Sequence, residues 1–241
     1  MELAEKGLLP GHPGAPVFGD APGMIRALKE IAYASTGLGR LLGHYSDRVI
    51  AELAAAAPAS QADIAYSLTT AFGGLGYAGI SPKAFPGMFT AYGTSNRGRG
   101  DHTYAWTVQA EEGGLKDARD LAAYVAEGQG GKALVDSLGL CDFFTGDITA
   151  EPFLSLYRAL TGIAYTPDSL KACGRRIYAL ERRVNNLQGR DRTYDAFVPA
   201  KLKVPLSRGA HSGRAVDEAF YNSVLDAYYE AWGWTKEGRV L

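Results

Sequence analysis

Apolar residues recur at helical spacing along most of the chain. Ile25, Leu28, Ile31 and Ala32 form one stripe, with Asp20 placed as its N-cap and Pro22 in its first turn. A second run passes through Val49, Ile50 and Leu53 into the alanines at 54–57 and stops at Pro58. Ala118, Leu121, Ala122 and Val125 predict a helix over 115–126, and a separate one follows over about 131–138. Segments 150–161, 167–188 and 215–232 also read as helices, with Pro167 in a first turn and Gly189 as a stop. In the long 167–188 segment, Leu170, Cys173, Ile177 and Leu180 are the expected core stripe. Arg175, Arg176, Glu181, Arg182 and Arg183 are the expected solvent side. Between Ser60 and Leu68 the period does not separate a short helix from a strand. The glycines crowded between Ala71 and Gly100 predict irregular backbone there. Almost no segment alternates with period two, and no repeat of 20–50 residues stands out. The expected fold class is mainly all-α.

Composition narrows the setting. The chain has 241 residues, of which 46% are hydrophobic, so it can bury a real core. Lys and Arg number 25 against 26 Asp and Glu, a balance that argues against a nucleic-acid-binding surface. No apolar run reaches the ~18 residues of a spanning helix, and the start lacks a signal-peptide layout. The expected location is therefore cytoplasmic, away from membranes. Two cysteines, Cys141 and Cys173, exclude a disulfide scaffold and a self-contained four-cysteine metal site. Met1 to Lys6 reads as a helical turn with no lead-in, as if the chain began in mid-helix.

Two stretches could carry chemistry. In Ser95-Asn96-Arg97-Gly98-Arg99-Gly100-Asp101-His102, guanidinium groups and accessible amides make an anion cradle. It is neither a P-loop nor a dinucleotide fingerprint. His102 is either a residue tuned by a nearby carboxylate or a lone surface histidine. Asp136-Ser137-Leu138-Gly139-Leu140-Cys141-Asp142 lies where a helix breaks at Gly139. Cys141 is there either a thiolate ligand or nucleophile, or a small buried hydrophobe. His12, His44 and His211 have no convergent partners and read as surface groups, and no Gly-x-Ser-x-Gly elbow supports a hydrolase.

Taken together these runs resemble the tungsten- or molybdenum-pterin aldehyde:ferredoxin oxidoreductase family. The resemblance rests on Phe85-Pro86-Gly87-Met88, on Ala91 to Gly98 with Asp101-His102, and on Asp136 to Cys141, which matches an Asp-x-x-Gly-Leu-Cys motif. Glu181-Arg182 with Asn186 and Gly189, Tyr228-Tyr229-Glu230 and Gly233-Trp234 extend it through the end. It implies the two helical C-terminal domains of that fold without its β-rich N-terminal domain. The division expected is a partial middle domain over 1–70 and a C-terminal helical domain with cofactor-facing loops over 71–241. By resemblance, Asp136, Gly139 and Leu140 hold one pterin of a bis-pterin tungsten (or molybdenum) cofactor, with Asn96 and Arg97 also on the cofactor side. Cys141 is one of four ligands to a 4Fe-4S cluster, and His102 is a catalytic proton donor beside the metal. The implied reaction turns aldehyde and water into carboxylic acid, with electrons leaving through the cluster to ferredoxin.

The departures shape the expectation. Three further cluster cysteines are absent, as is an upstream Asp-x-x-Gly-Leu-Asp motif. Ser81-Pro82-Lys83-Ala84 stands where the family has Asp-Pro-Arg-Gly. The cofactors are therefore not expected to be held stably by this chain alone. Activity is expected only with a missing N-terminal half or separate subunit, and self-association into a homo-oligomer is a further expectation. The alternative is a non-catalytic helical scaffold or partner-binding module descended from the family.

Overall fold

The computed structural model describes residues 1–9, 11–60, 71–72, 75–76, 81–98, 101, 105–141 and 151–241. Helices dominate, and the chain separates into two compact units: Met1–Tyr77 with Pro199–Val204, and Ala78–Val198 with Pro205–Leu241.

The first unit holds α1 (Glu2–Glu5), α2 (Ala21–Tyr33), α3 (Gly37–Leu42), α4 (Ser46–Ala56) and a 3₁₀ turn at Pro58–Ser60. A two-residue antiparallel pairing joins β1 (Ala71–Phe72) and β2 (Leu75–Gly76). Asp20 caps α2 as its position predicts, its carboxylate accepting from the Gly23 amide at 2.9 Å. Thr36 does the same for α3 through the Gly39 amide at 3.0 Å. A Cβ at Gly39 would sit 2.2 Å from the Glu30 carbonyl oxygen, so α2 and α3 meet there only because the residue is glycine. Leu3, Leu41, Val49 and Leu53 form the core of this unit. The short α11 (Ala200–Lys203) belongs to it too, and Lys201 pairs with Glu2. The expected helix-or-strand segment from Ser60 to Leu68 lies, beyond Ser60, outside the described residues.

The second unit holds a 3₁₀ turn at Pro82–Ala84, then α5 (Pro86–Thr94), α6 (Val108–Glu112), α7 (Ala118–Ser137), α8 (Glu151–Thr161), α9 (Pro167–Leu187), α10 (Arg192–Asp195) and α12 (Glu218–Trp232). α7 is central and packs against α5, α9 and α12. Two expectations fail here for one reason. The glycine-rich stretch contains a regular helix, α5, and the two segments expected between 115 and 138 are one continuous helix, α7. In both, glycine serves close packing. A Cβ at Gly87 would meet Glu111 Oε1 at 2.7 Å, and one at Gly174 of α9 would meet the Gly130 carbonyl oxygen of α7 at 2.1 Å.

α5 is buried all round, with Met88, Phe89, Thr90, Ala91, Tyr92 and Thr94 fully enclosed. Its two threonine hydroxyls are satisfied internally, Thr90 donating to the Pro86 carbonyl at 2.9 Å. The Thr94 hydroxyl donates to the Thr90 carbonyl at 2.7 Å and accepts from Gln129 Nε2 at 2.9 Å, while Gln129 Oε1 accepts from the Tyr228 hydroxyl at 2.6 Å. Tyr178 donates to the Thr94 carbonyl at 2.8 Å. Burial pushes the Glu111 carboxyl above the usual glutamate range, against hydrogen bonds from Thr107 and the Gly87 and Met88 amides.

α9 turns a different face inward from the one its stripe suggests. Leu170, Gly174, Tyr178 and Arg182 are buried, whereas Cys173, Leu180, Val184 and Leu187 are exposed. Arg182, expected in solvent, is 2% exposed and faces Asp195 at 0%. Its Nη1 and Nη2 donate to the two carboxylate oxygens at 3.0 and 2.6 Å, and its Nε donates to the Gly238 carbonyl at 3.0 Å. The Tyr229 and Tyr221 hydroxyls donate to Asp195 Oδ2 and to its carbonyl, each at 2.7 Å. Trp232 and Trp234 stack 5.0 Å apart, with Arg175 over one ring and Arg182 over the other. This lock ties α9, α10, α12 and the C-terminal segment together.

Candidate functional site

The motif at the end of α7 is first a helix terminus. The Gly139 amide donates to the Asp136 carbonyl at 2.9 Å and the Leu140 amide to the Val135 carbonyl at 3.3 Å. Gly139 sits at φ +67, and Leu140 packs back onto Leu134, Val135 and Leu170. These are the hydrogen bonds and the apolar contact of a glycine-terminated helix. They account for Gly139 and Leu140 without any ligand.

Asp136 needs a different explanation. A carboxylate in the last helical turn faces the negative end of the helix dipole, which costs about 0.3–1 kcal/mol at an exposed site. Arg97 offsets it: Nη1 lies 2.6 Å from Asp136 Oδ2, and Nε of the same guanidinium lies 2.7 Å from Asp101 Oδ2. All three side chains are partly open to solvent. The two carboxylates share one guanidinium. The structure thus joins Arg97 and Asp136, assigned to one cofactor from runs 39 residues apart.

Asn96 lies beside them in sequence but is committed elsewhere. Its side-chain amide donates to the Tyr178 carbonyl at 2.9 Å, and Asn185 Nδ2 donates to its backbone carbonyl at 2.9 Å. It fastens the end of α5 to α9 and thereby fixes where Arg97 emerges. The Ser95 hydroxyl is buried and finds no hydrogen-bond partner among the described residues. Cys141 is a free, exposed thiol, as is Cys173 on α9. His102, Arg99, Gly100 and Asp142 lie outside the described residues. Among the described residues no three His, Cys, Asp or Glu side chains converge as a metal site. Among them, too, no helix is long and apolar enough to cross a membrane.

Comparison with known proteins bears on this geometry directly. A family model described as aldehyde ferredoxin oxidoreductase, domains 2 and 3, matches residues 1–241. The chain belongs to the aldehyde ferredoxin oxidoreductase family. Its relatives include the tungsten-containing aldehyde ferredoxin oxidoreductase of Pyrococcus furiosus, 30% identical over 167 residues, covering 66% of this chain and 27% of the relative. That of Pyrococcus horikoshii is 28% identical over 192 residues, covering 73% and 31%. That of Thermococcus kodakarensis is 29% identical over 167 residues, covering 66% and 27%. The chain therefore spans roughly three tenths of the length of the curated relatives it matches. The mainly helical architecture agrees with this part of the aldehyde ferredoxin oxidoreductase fold.

The two groups that the family implies fare differently against these residues. A pterin edge fits the end of α7. Asp136 is an acceptor carboxylate held in place by Arg97, and a Cβ added at Gly139 would meet nothing within 4 Å, leaving room for a flat ring. A four-iron cluster needs four thiolates; the chain has two cysteines in all. The cluster does not fit this chain by itself.

Proposed function

We propose that the chain is the helical portion of a tungstopterin aldehyde oxidoreductase, inactive until joined to the portion that supplies the remaining cofactor contacts. The carrying observation is the Arg97–Asp136 pair, formed by two runs assigned to the same cofactor inside a family match over the whole length. When bound, the metallopterin supplies the two-electron oxidation of an aldehyde to a carboxylic acid. This chain's part is positional. Asp136 accepts from the pterin's N–H groups, Arg97 holds that carboxylate against the helix dipole, and Asp101 on the same guanidinium fixes the start of the segment leading to His102. Gly139 lets the ring approach the backbone, and Leu140 anchors the turn. His102 is proposed as the proton donor to the aldehyde oxygen, and Cys141 as one cluster ligand of a set completed by another polypeptide segment, with ferredoxin taking the electrons.

The test is purification from the native cells through a tag at the exposed C-terminus, with pterin measured as its fluorescent oxidised derivative and tungsten by mass spectrometry. Losing a hydrogen bond to a charged group costs about 1.5–3 kcal/mol, so Asp136→Asn and Arg97→Gln should each lower pterin content at least about tenfold. Circular dichroism should remain unchanged. Pterin content unaffected by both variants overturns the assignment. A wild-type preparation devoid of pterin supports the second reading, a non-catalytic helical module, which the shortage of cysteines favours.

A further inference from the structure

A cavity of about 640 Å³ opens between α7, the first half of α9, the end of α12 and the strip at Ala105–Trp106. That volume is within the range of small-molecule sites, about 300–1,000 Å³. Its walls combine two kinds of group. Trp106 and Tyr124 are large aromatics left 40% and 44% exposed beside it. Among the described residues that line it, Lys132, Lys171 and Arg175 are cationic and Glu127 is the one carboxylate. Arg175 and Lys171 are held in place before any ligand arrives. Arg175 Nη2 donates to the Ala231 carbonyl at 2.6 Å and its guanidinium lies 4.3 Å from the Trp232 ring centroid, while Lys171 pairs with Glu127 at 2.6 Å. The Trp106 indole N–H is tethered to Gln109.

The floor supplies the second observation. Glycine in a helix interior is destabilising relative to alanine, so a packing reason is expected for each one. Gly130 has it, since a Cβ there would press on Arg175 Cγ at 3.1 Å. Gly131 has none: a Cβ there would meet nothing within 4 Å among the described residues, and the residue lines the cavity. The missing side chain leaves open space on the cavity floor.

We propose that the cavity is a binding site for a planar aromatic anion, its ring lying on the Gly131 floor between Trp106 and Tyr124 and its negative group meeting Lys132 and Arg175. A carboxylated aromatic ring and a nucleotide share this chemistry. The site is built from residues other than Arg97, Asp136 and Cys141, so it stands or falls independently of the oxidoreductase reading.

The chain supplies its own reporter, because Trp232 and Trp234 are only 9% and 8% exposed and Trp106 is the accessible indole. The probe is 1-anilinonaphthalene-8-sulfonate, followed by energy transfer from tryptophan, with uncharged N-phenyl-1-naphthylamine as its comparison. Saturable binding of one equivalent of the sulfonate is expected, and it should be lost on Trp106→Leu when read from the probe's own fluorescence under direct excitation. Gly131→Leu fills the floor with a good helix former and should weaken binding at least about tenfold at unchanged helicity. Lys132→Gln should weaken the anion about threefold and leave the uncharged probe unaffected. Displacement by benzoate points to an aromatic acid and displacement by AMP to a nucleotide, and either supports the site. Displacement by neither, or full-strength binding to Gly131→Leu, overturns it.

Discussion

Arg182 and Asp195 illustrate how much can depend on one side chain. Both are enclosed, both carboxylate oxygens are bonded to the guanidinium, and two tyrosine hydroxyls complete the shell. Breaking a buried pair from one side strands the other charge, at about 3–5 kcal/mol. Asp195→Ala is therefore expected to lower the urea midpoint sharply, whereas Asp226→Ala, whose carboxylate pairs with Arg192 at the surface, should change stability by less than about 1 kcal/mol. Equal effects in parallel urea titrations would contradict this. Glu111 gives a pH signature. Its folded pKa lies above the ordinary value of 4.5, so the fold binds the proton more tightly than the unfolded chain does. Its contribution is fully present below that value and declines as pH rises through the folded pKa. Glu111→Gln keeps an oxygen for Thr107 and the Met88 amide, and should flatten this part of the stability-versus-pH curve. A decline from pH 4.5 upward that persists undiminished in the variant would show that other groups cause it.

At the scale of elements, α7 and α9 carry the clearest contrast. At Gly174 any Cβ collides with α7 backbone at 2.1 Å, and backbone cannot swing aside. Gly174→Ala should cost about 1–3 kcal/mol as overpacking, whereas Gly131→Ala should stabilise by about 0.5–1 kcal/mol through helix propensity alone. Denaturant titration of the two variants reads opposite signs if the helix contact is as described. The same helices show what periodicity conveys and where it stops. α2, α4, α8 and α12 were legible because one face is apolar and the other polar. α5 has no polar face to provide contrast, so along the sequence its glycines read as irregular backbone. In α7 the glycines read as a break, because nothing local reveals that α9 packs against Gly130. Arg182 reads as a solvent residue because it stands in a charged run and its partner lies beyond the end of α9. In the candidate site, Asp136, Arg97 and Gly139 are each legible through their own motifs. The ion pair between runs 39 residues apart depends on tertiary packing, and the spacing of residues along one stretch of chain does not encode it.

For the molecule as a whole, the apolar surface left uncovered is the decisive feature. α8 has no buried residue at all, and on α9 Leu180, Val184 and Leu187 are exposed, the last at 85%. Together with Met24, Ile25, Leu28 and Tyr33 on α2, these residues leave several apolar faces without cover among the described residues. The isolated chain is expected to self-associate, with a sedimentation coefficient that rises with concentration. Leu180→Gln with Val184→Gln should weaken that association, and concentration-independent sedimentation of the wild type would rule it out.

The two indoles enclosed between Arg175 and Arg182 also give this protein an optical handle. Trp232 and Trp234 lie 5.0 Å apart and 18° from parallel, close enough for their electronic transitions to couple. An exciton-type band in the near- and far-ultraviolet dichroism should therefore accompany the intact lock and vanish when the C-terminal segment detaches from α9. Emission from Trp106 follows events at the cavity. One sample, read by two kinds of light, then reports separately on whether the scaffold is closed and whether its cavity is filled.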